Sequence, residues 1–296
     1  MRFPAWPGKN KKPLAVWQRP SLFLLAGIGL LLLGMLVGFY LFFPAETLKQ
    51  RIIQELETRT SVTVQIEQVS LYPLLTFSAK GITLDVKGLS QSLLIESLSI
   101  APQWSTLLSA DPGVQVQGEL MNGTIDAGVL KNGLISAKAA GLRFDLPIQK
   151  PLPFNITGTL SDASIDTATR LDTETKSHLL LRLADVKVLG LELLKAESPG
   201  LALGDITLEA DGQGRSQKVT LSAKGGDLDV SGDGTLLIGR TAASSRIKLV
   251  LLVRPGPNAD PSITSLLELS GKADADGRYP LQLTGTLDKP SLKVGG

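Results

Sequence analysis

Several stretches of this chain place apolar residues at every second position, a period that a helix cannot use. Val62, Val64 and Ile66 alternate with Thr63, Gln65 and Glu67, and Ile82, Leu84 and Val86 with Thr83, Asp85 and Lys87. Val114, Val116, Gly118 and Leu120 alternate with Gln115, Gln117 and Glu119, and Val219, Leu221 and Ala223 with Thr220, Ser222 and Lys224. Side chains of an extended chain point alternately to opposite faces, so each stretch is a strand with one apolar and one polar face. Asn122-Gly123, Asn132-Gly133, Gly212-Gln213-Gly214, Gly225-Gly226-Asp227 and Asp233-Gly234 supply residues that tolerate positive φ, and these are read as hairpin turns. Short strands joined by tight turns make an antiparallel meander.

A weak internal repeat agrees with this. Residues 117–126, 157–166 and 284–293 align without gaps on a pattern of Gly, Leu and a later aliphatic residue, and the unit reads as strand, turn, strand. Two helices interrupt the alternation. In 45–61, Leu48, Ile52 and Leu56 recur every four residues with Ile53 beside them, which predicts an amphipathic helix plugging one end of the sheet. Pro261 to Leu269 forms the second, with Asp260 as its cap and Pro261 at the first helical position. Aromatic residues make up only 5% of the chain, so the apolar face is built from Leu, Ile and Val. Such a face suits either an ordinary aliphatic core or a long curved sheet left partly bare, able to hold acyl chains or a partner strand.

Ahead of the strands, Ser21 to Phe43 runs 23 residues without a charge. At ~1.5 Å per residue a helix of that length spans ~35 Å, enough for a ~30 Å hydrocarbon layer. The run is longer than a signal peptide's apolar region and leaves through Leu41-Phe42-Phe43-Pro44 with no A-x-A site, so it is read as an uncleaved anchor. Gly34 and Gly38 form a G-x-x-x-G there, read as incidental. Residues 1–20 carry Arg2, Lys9, Lys11, Lys12 and Arg19 and no acid, which places the N-terminus in the cytoplasm. Three segments are therefore expected: a cytoplasmic basic tail at 1–20, a transmembrane helix at 21–43, and a β-rich domain at 44–296 across the membrane, which in a bacterium with two membranes is the periplasm. Outside the tail, 25 basic residues face 28 acidic ones, so the body lacks the basic surface of a nucleic-acid binder.

Catalytic equipment is sparse. There is no cysteine, hence no thiol nucleophile, thiolate metal site or disulfide. His178 is the lone histidine and has no second ligand nearby in sequence, so it is read as a strand-edge residue rather than a base. Asp227, Asp229 and Asp233, and Asp274 with Asp276 and Gly277, have some of the spacing of calcium loops but lack the distal Glu; they are read as hairpin tips. Gly212-Gln213-Gly214 lacks the third glycine of a dinucleotide site, and Asn155-Ile156-Thr157 fits a glycosylation sequon, which carries no weight in a bacterial context. No catalytic, cofactor-binding or metal-binding residue is assigned, and the chain is read as no enzyme.

The order of parts resembles a known family. Phe43-Pro44-Ala45-Glu46-Thr47-Leu48 leads into the helix 51–56; Thr60-Ser61-Val62-Thr63-Val64 follows, then Val69 to Leu84 with Pro73 and Gly81-Ile82-Thr83-Leu84. The C-terminus carries Asp276-Gly277-Arg278-Tyr279-Pro280-Leu281-Gln282-Leu283-Thr284-Gly285-Thr286-Leu287-Asp288-Lys289-Pro290. These features resemble the type II secretion system protein N family (general secretion pathway protein N), in its membrane-anchored delta-proteobacterial form. The front end is also similar, more distantly, to AsmA-like envelope proteins, with Ser61 where a glycine often sits. The first resemblance implies a non-catalytic accessory or assembly component of type II secretion, held in the bacterial inner membrane. It would contact other platform components or the secretin through its periplasmic β domain, and the bilayer through its anchor. The second implies a lipid-binding or lipid-transfer groove, with phospholipid as ligand.

Overall fold

The computed structural model describes residues 44–59, 62–72, 75–86, 92–148, 154–171, 174–190, 200–239, 241–257 and 259–294, with Leu30, Leu31, Gly34, Met35 and Gly38 isolated ahead of them. The chain divides into two compact units, Met1–Pro44 and Ala45–Gly296. In the first, Leu30, Leu31, Gly34, Met35 and Gly38 are helical, with Leu30, Leu31 and Met35 exposed. The rest of the expected anchor lies outside the described residues. Among the described residues, no helix is long and apolar enough to cross a membrane.

The second unit is one 15-stranded sheet in which every recorded pairing is antiparallel. In chain order the strands are β1 (Val62–Tyr72), β2 (Thr76–Val86), β3 (Leu93–Gln103), β4 (Gly113–Leu120), β5 (Gly123–Leu130), β6 (Leu134–Ala140), β7 (Leu142–Ile148) and β8 (Phe154–Ala168). They continue with β9 (Lys176–Leu189), β10 (Gly200–Gln213), β11 (Ser216–Lys224), β12 (Leu228–Leu237), β13 (Arg246–Pro255), β14 (Tyr279–Thr286) and β15 (Lys289–Val294). Each strand pairs with its successor, as the turn signals predict, except at β6–β8. There β6 and β7 share one side of the long strand β8, β7 along its first half and β6 along its second. Gly141, at φ +74, makes the bend between them.

Register makes this sheet two-faced over its whole width. One cross-strand row reads Leu71, Phe77, Ile100, Val116, Ala127, Ala137, Ile165, Leu179, Ala210, Val219, Gly234, Leu249, Leu283 and Leu292. The row two residues nearer the other end of the strands, from Val69 and Ala79 through Leu181 and Leu208 to Leu281 and Val294, is equally apolar. On the opposite face the row from Ser70 and Ser78 through Gln117, Asp126 and Lys138 to Gln282 and Lys293 is mostly polar. A slip of one residue in any strand would break all three rows, so hydrophobic burial and register enforce each other.

Two helices cover the apolar face, both toward the same ends of the strands. Helix α1 (Ala45–Arg59) packs Ile53 onto Val64, Ile66 and Ile82. It also serves the unpaired edge of β1: Lys49 donates to the Glu67 carbonyl (3.1 Å) and Glu57 accepts from the Val64 amide (3.5 Å). Exposed backbone edges invite further strands, and these contacts cover part of this one. Helix α2 (Pro261–Ser270) packs Leu267 and Ile263 over Val253 and Tyr279. Its start is as expected, with Pro261 opening the helix and the Asp260 carboxylate accepting from the Ser262 amide at 2.8 Å. A third cluster, Ala210, Val219 and Leu249, is covered by neighbouring side chains such as Leu208, Leu236 and Leu251. Among the described residues, no large side chain falls below 2% exposure.

Three expectations are corrected. Asp233-Gly234 is no turn; it lies inside β12, opposite Thr220 and Val219. A Cβ at Gly234 would run into the Lys248 carbonyl oxygen and Leu249, so glycine is required there by strand approach rather than by φ. The Asn122-Gly123 turn is shifted by one residue. Met121 (φ 50) and Asn122 (φ 63) form a two-residue turn with both positions left-handed, closed by the Leu120–Gly123 pair. Gly123 itself lies against the backbone of Ala140 and Leu142. Finally, 117–126 and 284–293 are hairpins, but 157–166 runs within the single strand β8. Where the repeat predicts a turn, β8 has a register shift between Leu160 and Asp162, and the Ser161 hydroxyl donates to the Arg182 carbonyl at 3.0 Å.

Candidate interaction surfaces of the sheet

The carboxylates that resemble calcium ligands in sequence are engaged elsewhere. Asp227 sits in the β11–β12 turn, where its side chain accepts from the Ala202 amide at 2.7 Å. Its backbone exchanges bonds with Ala202 and Gly256, tying three neighbouring segments together. Asp229 pairs across strands with Arg254 at 2.7 Å, and Asp233 faces the Thr220 hydroxyl at 3.5 Å. Of these three, only Asp227 is at a hairpin tip. Asp274 accepts from the Asp276 and Arg278 amides (2.9 and 2.8 Å), and these bonds with the Arg278 guanidinium hold its carboxyl below the ordinary range. Arg278 also pairs with Asp276. Gly212 and Gln213 end β10, and Gly214, at φ +62, opens the two-residue turn to β11. Asn155 to Thr157 lie in β8.

His178 is less isolated than its sequence suggests. Its Nδ1 lies 2.6 Å from Asp211 Oδ1 across the β9–β10 ladder, and Asp166 is its cross-strand partner on β8. The hydrogen bond to Asp211 raises the imidazole pKa above 6.5, helped by the charges of Glu209 and Asp166. His178, Glu209 and Asp211 each offer one ligand atom, all within 4.8 Å of one another, so this is the place among the described residues where a divalent ion finds three donors. His178 and Asp211 line a shallow depression together with Asp166 and Lys176. Asp211 is 33 residues away along the chain, so only the register of β9 with β10 reveals the pair.

The remainder of the polar face is a lattice of exposed cross-strand pairs. The amides of Gln115 and Gln117 both donate to Asp126 (3.0 and 2.9 Å), Ser97 donates to Glu119 at 3.2 Å, and Arg182 lies 3.6 Å from Asp162. Charges of both signs occur there, whereas the opposite face is apolar across every strand.

This arrangement defines a class: a long antiparallel meander with one polar and one apolar face, closed at one end by two short helices. Within that class the chain belongs to a particular family, for the pattern described as type II secretion system (T2SS), protein N, matches residues 78–282. The match runs from β2 into β14, and so takes in the middle of the sheet, where the sequence offered only β character. No curated protein and no solved structure matches the chain.

Proposed function

We propose that this component of the type II secretion system is a non-catalytic accessory or assembly protein. The run 21–43 tethers it in the inner membrane, and its sheet domain stands in the periplasm, making contacts with platform components or the secretin. The observation that carries the reading is the family match over β2 to β14, joined to a polar face whose hydrogen-bonding groups of both signs suit protein contacts more than chemistry. Photocrosslinking groups at Gln117, Lys138 and Thr220 of the full chain, in cells making the secretion machine, test it. Capture of a platform protein or the secretin is expected; capture of neither at all three positions overturns the reading.

One observation favours a second reading, a lipid-binding groove of the AsmA-like kind. The apolar rows run unbroken through β1 to β15, yet most of their members are half-buried rather than buried. Acyl chains would complete that burial at roughly 25 cal/mol per Å². Mass spectrometry of lipid carried by the purified full chain separates the readings. Phospholipid retained in stoichiometric amount, and lost when Ile165 and Leu179 become Asp, supports the groove; its absence supports the scaffold.

A further inference from the structure

We propose that the turns at one end of the strands form a docking rim for an anionic lipid bilayer surface, independent of either reading above.

The register aligns that end. Seven connections leave the sheet there, and Leu75, Trp104, Lys131, Thr169, Gly214, Ile238 and Leu287 each stand four residues past the row that runs from Leu71 to Leu292. At ~3.3 Å per residue the last six rise to about 13 Å above it, while Leu75, on the returning side of its turn beside Thr76, lies two residues past Phe77 of that row. Helices α1 and α2 cover the apolar face toward the other end, so among the described residues no helix covers this rim.

Its first half is apolar. Trp104 is 49% exposed, Leu75 50%, and Leu108, at the tip of the β3–β4 loop, fully so. That loop is held by its own bonds: the Thr106 hydroxyl donates to the Gln103 carbonyl and accepts from the Gly113 amide, and the Ser109 hydroxyl donates to the Thr106 carbonyl. The leucine is therefore presented rather than folded back. An indole beside exposed aliphatic side chains suits the boundary between headgroups and acyl chains.

The second half is cationic. Among the described residues, Lys131, Arg170, Lys176, Arg215, Arg246 and Lys289 lie on the rim against Asp111, Glu174 and Asp288, and the sequence of the same connections adds Arg240 and Asp172. None of the six is ion-paired among the described residues, while the body as a whole is mildly acidic. Successive turns are two strands, or ~10 Å, apart. A row of single cations so spaced matches a uniformly negative plane better than one carboxylate on a protein partner.

The test uses the full chain held in nanodiscs of zwitterionic lipid. Trp6 and Trp17 are changed to Phe, which leaves Trp104 as the one indole. Separate vesicles of phosphatidylethanolamine and phosphatidylglycerol are added, with brominated acyl chains as quencher. Quenching of Trp104, weakened by salt and absent with phosphatidylcholine vesicles, is expected. Leu107, beside Leu108 in the loop, is also exposed, and Leu107→Asp with Leu108→Asp should lower the affinity roughly tenfold. Lys131→Glu with Arg215→Glu should do likewise while leaving the apolar loop intact. Equal binding to neutral vesicles, or binding unchanged in both double variants, overturns the proposal. So does a photocrosslinker at position 108 that captures a protein in cells and no lipid.

Discussion

Leu249 and Leu108 are the same residue type, one within a strand and 2% exposed, the other in a loop between strands and fully exposed. Leu249 lies on the apolar face of β13, opposite Gly234 and Leu283, with Val219 and Ala210 beyond. Leu108 stands past the end of β3, in the β3–β4 loop, with no strand beside it among the described residues. Position in the cross-strand rows, not residue type, decides which leucine stabilises the fold. The largest effect expected from this contrast is therefore at Leu249. Leu249→Ala removes a buried side chain whose neighbours are fixed in a ladder, and should cost about 2–4 kcal/mol. Urea unfolding of the full chain measures it. A loss under about 1 kcal/mol would mean that the cluster around Val219 is loosely packed, and that body and rim differ less than their exposures imply.

Gly234→Ala probes the same cluster from the opposite side. In a strand interior alanine ordinarily improves on glycine. Here a Cβ would meet the Lys248 carbonyl and Leu249, so the β12–β13 ladder has to open. A destabilisation of about 1–3 kcal/mol is expected in the same unfolding assay. An unchanged or raised midpoint would show that the close approach at this glycine is not needed.

That glycine also marks where sequence reading stops. Alternation located the strands at Val62, Ile82, Val114 and Val219, and spacing located both helices, because those signals lie within a few residues. Asp-Gly is equally a local signal, but at 233–234 the neighbouring strand outweighs it: Leu249 occupies the space where a side chain would go. The continuity of the apolar face is a property of registers, and each register is fixed by pairs distant in sequence, Ile165 with Ala137 and Leu179 for example. Likewise His178 gains its partner only when β9 and β10 align. The middle copy of the repeat failed for a related reason. Ser161 and Asp162 occupy the turn positions, but β6 and β7 pair along both halves of β8 and keep it extended.

A smaller effect belongs to His178. Its imidazole pKa is raised in the folded state, so the protonated form is the one the fold favours. The stabilisation is fully present below the unfolded value of about 6.5 and is lost as pH rises through the higher folded value. Both side chains are substantially exposed (41% and 56%), so its size is that of a screened surface pair, well below the effect at Leu249. Because the chain has one histidine, its imidazole resonances titrate without overlap. They should report a pKa above 6.5, falling toward it in Asp211→Asn. A midpoint at or below 6.5 in the unaltered protein would show that the Asp211 bond does not form in solution.

The smallest expected effect lies at the rim and is the sharpest check on the comparison. Leu108→Ser removes more apolar surface than many core substitutions, yet that surface is already in contact with water. The fold therefore has little burial to lose, and the loop bonds of Thr106 and Ser109 do not involve the altered side chain. The change in unfolding free energy should stay within about 0.5 kcal/mol. A loss near that of Leu249→Ala would mean that the β3–β4 loop folds down over the apolar rows in solution. The rim would then be part of the core and not a surface held out for something else.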